Sequence, residues 1–123
     1  MMNPITPIFR MFDTEKAREF YLDWLGFELD WEHQLEDNFP LYWQISRGDL
    51  VLHLSEHHGD CAPGGKVLAR VNQIEEYHKL LIQKNYKYGR PGLETAVWGA
   101  KLISVADPFG NRIDFFEELE KEQ

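Results

Sequence analysis

A chain of 123 residues with 43% hydrophobic and 14% aromatic residues is the size of one domain with one core, and it holds no apolar run long enough to span a bilayer. Its 21 acidic and 13 basic residues leave a net charge of −8, which argues against nucleic acid as a partner, because phosphate binding needs clustered Lys and Arg. The single cysteine, Cys61, forms no internal disulfide, and "MMNPITPIFRMF" lacks the features of an export signal, so both point to the cytoplasm.

The first segment, "ITPIFRMF", alternates as a strand in which Pro4 and Pro7 suit an edge or a chain crossing. A helix follows: Asp13 is placed to cap it, Ala17, Phe20, Tyr21, Trp24 and Leu25 recur at helical spacing, and Gly26 ends it. Three strand-like runs come next, "FELDWEHQ", "FPLYWQIS" and "LVLHLSEH", separated by "LEDN" and "RGD", both suited to turns. After the loop "HHGDCAPGG" the plan recurs as a strand "KVLARV", a helix from about Gln73 to Lys84 capped by Asn72, and the strands "ETAVWG", "AKLISVA" and "NRIDFFEE". The order is βαβββ twice, so each half reads as one copy of the same structural unit.

Two motifs resemble a known family. "FDTEKAREFYLDWLGFEL" and "ADPFGNRIDFFE", in this order and at this separation, are similar to the glyoxalase/bleomycin-resistance, or vicinal oxygen chelate, superfamily over essentially the whole chain. "RGDLVLHLSEH" and "WGAKLISVADPFGNRIDFFEE" look most like the bleomycin-resistance branch. The resemblance implies an α+β fold of two βαβββ modules, about 1–58 and 64–118 within a single domain 1–123, with curved mixed sheets around a cleft. It also implies a homodimer, with exchange of the N-terminal strand between subunits as a known variation.

Metal-dependent members of such a family hold a divalent ion with side chains from the first and last strands of each module. The matching positions here are Thr6, His53, Lys66 and Asp114. A lysine offers donors and no acceptor, which leaves His53 and Asp114 as the only candidate ligands. The expectation is therefore no metal and no cofactor. Asp114 itself interrupts an apolar strand between Ile113 and Phe115, so it is either solvated, paired with Lys66, or in contact with a ligand. The cluster "SEHHGDC" lacks metal-ligand spacing and reads as a solvated loop, and His78 is expected to face water.

Strand alternation groups His53 and Asp114 with Arg112 and Phe116 on ligand-facing surfaces. Trp43 is in phase with Ile45 and reads as core, which puts Tyr42 on the other side. Trp98, matching a Trp-Gly of the bleomycin-resistance branch, is the leading ligand-contacting aromatic, with Phe39 or Tyr42 as its partner. The reading is a small-molecule-binding protein that sequesters an aromatic or cationic antibiotic-like ligand without catalysis. The alternative is a metal-dependent glyoxalase-like lyase, isomerase or thiol transferase; a self-association or regulatory module ranks third.

Overall fold

The computed structural model describes residues 1–119. Strand β1 (Ile8–Arg10) leads into helix α1 (Thr14–Ala17), which continues as a π-helical segment (Arg18–Trp24). Strands β2 (Glu28–His33), β3 (Tyr42–Arg47) and β4 (Leu50–Ser55) follow. The pattern then recurs as β5 (Lys66–Arg70), α2 (Ile74–Gln83), β6 (Glu94–Ala96), β7 (Ala100–Ala106) and β8 (Arg112–Glu118). The chain forms two units, Met1–Gly65 with the turn Asp107–Asn111, and Lys66–Ala106 with the chain from Arg112 onward.

The duplication extends to topology. One four-stranded sheet runs β1-β4-β3-β2 and the other β5-β8-β7-β6. In each, the first strand lies parallel to the last and the remaining pairs are antiparallel. This is the α+β arrangement of two mixed sheets that the sequence predicts.

In the first unit, Asp13 accepts a hydrogen bond from the Lys16 amide at 3.1 Å and caps the helix as expected. The π-helical segment is not visible in the periodicity; it shows as the Leu25 amide donating to the Phe20 carbonyl five residues back at 3.0 Å. It leaves Ala17, Phe20, Tyr21, Trp24 and Leu25 all buried. Trp43 and Ile45 are fully buried with Leu54, which fixes which face of this sheet carries the core, and Arg18 lays its guanidinium over the Trp43 ring at 5.2 Å. Core amphipathicity is thus as read.

In the second unit, α2 rests on β7 and β8, with Tyr77 edge-on to Phe115 at 5.2 Å. Its cap differs from the expectation. Gln73, not Asn72, occupies the cap position, with left-handed φ of 59° and no side-chain hydrogen bond of its own. The free amides of Gln73 and Ile74 are taken instead by the Glu117 carboxylate on β8, at 2.9 and 3.1 Å. A carboxylate across two helix N-terminal amides also suits the helix dipole. Glu117→Ala is expected to lower stability by about 1 kcal/mol and Asn72→Ala to leave the urea midpoint unchanged; the reverse pattern would restore Asn72 as the cap.

Candidate functional site

The two sheets each present one face away from their buried side chains. On the first, the β3–β4 register pairs Tyr42 with Ser55 and Gln44 with His53, so alternation carries Tyr42, Gln44, His53 and Ser55 to the open face, opposite Trp43, Ile45, Leu52 and Leu54. Tyr42 and His53 are brought together: the Tyr42 hydroxyl lies 2.7 Å from His53 Nδ1. His53 Nε2 lies 3.0 Å from Gln44 Oε1, an oxygen that only accepts, so the proton sits on Nε2 and Tyr42 donates to Nδ1. Gln44 is in turn anchored through Nε2 on Asp30 at 3.1 Å, and Asp30 accepts from Ser46 at 2.9 Å.

Trp31 completes this face and was not foreseen. Its ring stacks on Tyr42, centroids 5.9 Å apart and planes 12° apart, and meets His53 edge-on at 5.4 Å. Simple alternation places Trp31 on the same side as Leu29, in the core. A β-bulge between Leu29 and Trp31 reverses that: Leu29 pairs with Ile45 on the core side, and Trp31 pairs with Gln44 on the open side. The ring is 43% exposed. Nothing in the alternation of "LDW" signals the bulge.

Burial lowers the His53 pKa below its ordinary value. It raises that of Tyr42, with the Asp60 carboxylate and Cys61 adding to the rise. Both directions favour the neutral Tyr–His pair that the hydrogen bond needs. Because the folded state binds this proton more weakly than the unfolded chain, the contribution is fully present above pH ~6.5 and is lost as the pH falls through the depressed folded value. His53→Gln is expected to flatten the stability-versus-pH profile just below pH ~6.5, measured by urea unfolding at a series of pH values; an unchanged slope would remove His53 as its source.

Phe39 lies in the β2–β3 loop, 45% exposed, with its carbonyl accepting from Gln34 Nε2 at 2.7 Å. The "SEHHGDC" loop is a turn closed on itself: Ser55 Oγ donates to Asp60 at 2.6 Å and accepts from the His57 amide at 3.0 Å.

On the second sheet, Asp114 is neither solvated nor in the core. It stands in a row between Leu68 on β5 and Ser104 on β7, is 8% exposed, and holds Lys66 Nζ at 3.0 Å. That ion pair is the role the second of the three sequence readings gave it. Phe116 lies between Trp98, edge-on at 5.4 Å, and the Arg70 guanidinium at 5.5 Å. Arg70 is paired with Glu118 at 2.6 Å. Trp98, 54% exposed, sits in the β6–β7 turn just before Gly99, whose φ of 88° a side chain would strain. The ring beside Trp98 is Phe116; Phe39 and Tyr42 belong to the first unit. Arg112 is exposed at the start of β8. His78, expected in water, is half-buried with Nε2 2.8 Å from the Pro91 carbonyl.

The donors do not fit a divalent ion. Thr6 is exposed ahead of β1, both His53 nitrogens are engaged, and the position matching a third ligand puts an ammonium on Asp114. No group of three or more His, Cys, Asp or Glu side chains converges among the described residues. Nor is any helix among them long and apolar enough to cross a membrane.

Two βαβββ units, each with a four-stranded mixed sheet, place the chain in an α+β class built by duplication. A family model described as glyoxalase superfamily protein matches residues 1–122; the chain belongs to the glyoxalase superfamily. Among solved structures it is similar to a bleomycin-binding protein complexed with bleomycin, at 21% identity over 95% of this chain and 99% of that one, with a TM-score of 0.71. It is also similar to the bleomycin-binding protein from bleomycin-producing Streptomyces verticillus complexed with copper(II)-bleomycin, at 23% identity over 98% of both chains, TM-score 0.68. A glyoxalase-related enzyme from Clostridium phytofermentans matches at 18% identity over 97% of each chain, TM-score 0.75. At these identities the likeness is one of fold. No curated protein matches the sequence.

Proposed function

We propose that this protein is a single-domain, small-molecule-binding member of its superfamily, akin in role to the bleomycin-binding proteins, that acts as a homodimer and sequesters a flat aromatic or cationic ligand without catalysis. The observation that carries this reading is the exposed Trp31 ring lying parallel to Tyr42. An aromatic pair already stacked and half-open offers a third flat ring an ordered surface, and offset stacking adds about 0.5–1.5 kcal/mol per pair beyond area burial.

Tyr42, His53 and Phe39 supply the first unit's contacts; Trp98, Phe116, Asp114 and Arg112 supply the second's. Arg10, Lys66, Arg70 and Arg112 would repel a cationic ligand, but Lys66 and Arg70 are already paired with Asp114 and Glu118, which weakens that repulsion. A metal-dependent lyase, isomerase or thiol transferase would first have to break the Tyr42–His53 and Lys66–Asp114 contacts to gain ligands.

Titration with bleomycin, followed by tryptophan fluorescence, tests the reading. Trp24 and Trp43 are buried, so quenching reports on Trp31 and Trp98. Saturable quenching at one equivalent per subunit is expected, with reduced amplitude in Trp98→Ala. An absence of saturation up to ~1 mM ligand, an affinity weaker than about −4 kcal/mol, would sink this member of the ligand class.

A further inference from the structure

Arg10 stands in one row with the aromatic face of the first sheet. It pairs in register with Ser55, and Ser55 pairs with Tyr42, so two interstrand spacings, roughly 10 Å, separate Arg10 from Tyr42. The arginine is 8% exposed. Its guanidinium carbon lies 4.7 Å from the Phe12 ring centroid, and its Nη1 is a buried nitrogen with no hydrogen-bond partner among the described residues.

A guanidinium has five donors, no acceptor and a charge that cannot be discharged. Leaving one of its nitrogens buried and unpaired is costly. The Asp60 carboxylate takes the Ser55 hydroxyl at 2.6 Å and forms no direct ion pair with Arg10 among the described residues. Cys61 lies close enough for Arg10 to favour its thiolate, yet burial and then Asp60 outweigh that pull and raise its pKa, so at neutral pH it is an uncharged thiol. The turn that follows β4, through exposed His58, Gly59 and Asp60, is held to β4 by the Ser55 hydroxyl.

We infer that Arg10 is the anchor for a carboxylate borne by the ligand, so that the preferred ligand class is an aromatic acid whose ring lies against the Trp31–Tyr42 stack while its carboxylate takes the unpaired guanidinium of Arg10. The planar fork matches a carboxylate in two parallel hydrogen bonds. The ring half of this assignment rests on the proposed function; the anion half does not.

The test compares 2-naphthylacetate with 2-naphthylacetamide, equal in shape and different in charge, by isothermal titration calorimetry on the full chain. The acid is expected to bind the native protein about ten- to a hundredfold more tightly than the amide, and Arg10→Gln to erase that preference by weakening the acid far more than the amide. Equal binding of acid and amide to the native protein overturns the inference without needing any variant to fold. A preference that survives in Arg10→Gln or grows in Arg10→Lys overturns it too. If neither compound binds, the aromatic surface has failed, and acetate then probes Arg10 alone. A saturable shift of the Arg10 Nε–H resonance, identified by its loss in Arg10→Gln, upholds the anion site, and no shift removes it.

Discussion

Replacing Asp107 by Ala is expected to cost about 3–4 kcal/mol, a fall in the melting temperature of roughly 10–15 °C for a chain of this size. The carboxylate is 7% exposed and accepts four hydrogen bonds. Oδ1 takes the amides of Phe109 and Asn111, each at 2.8 Å. Oδ2 takes the Tyr21 hydroxyl at 2.6 Å and Asn111 Nδ2 at 2.8 Å. Truncation strands the Tyr21 hydroxyl in a fully buried position, and that unmet donor costs more than the bond itself contributed. It also releases Asn111, whose Nδ2 reaches the Arg10 carbonyl at 2.8 Å and whose Oδ1 takes the Gly64 amide at 3.2 Å.

Asp107→Asn separates charge from shape: an amide can serve only one of the two oxygen positions as an acceptor, so it should lose most of the same stability. Tyr21→Phe removes donor and demand together and should cost only about 1 kcal/mol. Urea denaturation of the three variants decides the matter. An Asp107→Ala variant within 1 kcal/mol of the native protein would show that the turn is held by its own Pro108–Gly110 geometry and not by this carboxylate.

That network explains why "ADPFGN" is readable as a family signature at all. Asp107, Gly110 and Asn111 are fixed by the geometry of one turn, in which the Asp107 amide bonds the Asn111 carbonyl at 2.8 Å and Gly110 adopts a φ of 93°. Such local constraints are written in the sequence, as are the greasy face of the first helix and the burial of Trp43. The remainder depends on partners far along the chain. Glu117 caps a helix more than 40 residues before it, and nothing near Asn72 signals that its side chain goes unused. The bulge before Trp31 moves a whole ring from core to surface by one residue of slip, which a period-2 reading cannot detect. The Lys66–Asp114 pair was weighed among other roles because parallel β5 and β8 had to be paired first. Alternation alone puts Arg10 on the ligand-facing side, but its unpaired buried nitrogen exists only once every neighbour has been placed.

The largest effect on binding is expected from Trp31→Ala, which should weaken an aromatic ligand by about 2 kcal/mol, or roughly thirtyfold. Trp31 and Trp98 differ in what they offer. Trp31 lies parallel to Tyr42, so its free face extends an existing stack. Trp98 meets Phe116 at 67° and stands on a turn, where it can re-orient and where its loss should cost no more than about fivefold, within the range of a single aromatic pair. Trp31 is exposed, so its removal should cost the fold no more than its stack on Tyr42 and its edge contact with His53 supply, about 1 kcal/mol.

Tyr42→Phe is the informative companion. It keeps the second ring of the stack but removes the proton donated to His53, so affinity for a purely stacking ligand should persist while the His53-dependent pH profile changes. Calorimetric titration of the same ligand against Trp31→Ala, Trp98→Ala and Tyr42→Phe ranks the three. Should Trp98→Ala prove the more damaging of the two tryptophan variants, the second unit's sheet carries the ligand ring and the stack on the first sheet serves to stabilise the bulge.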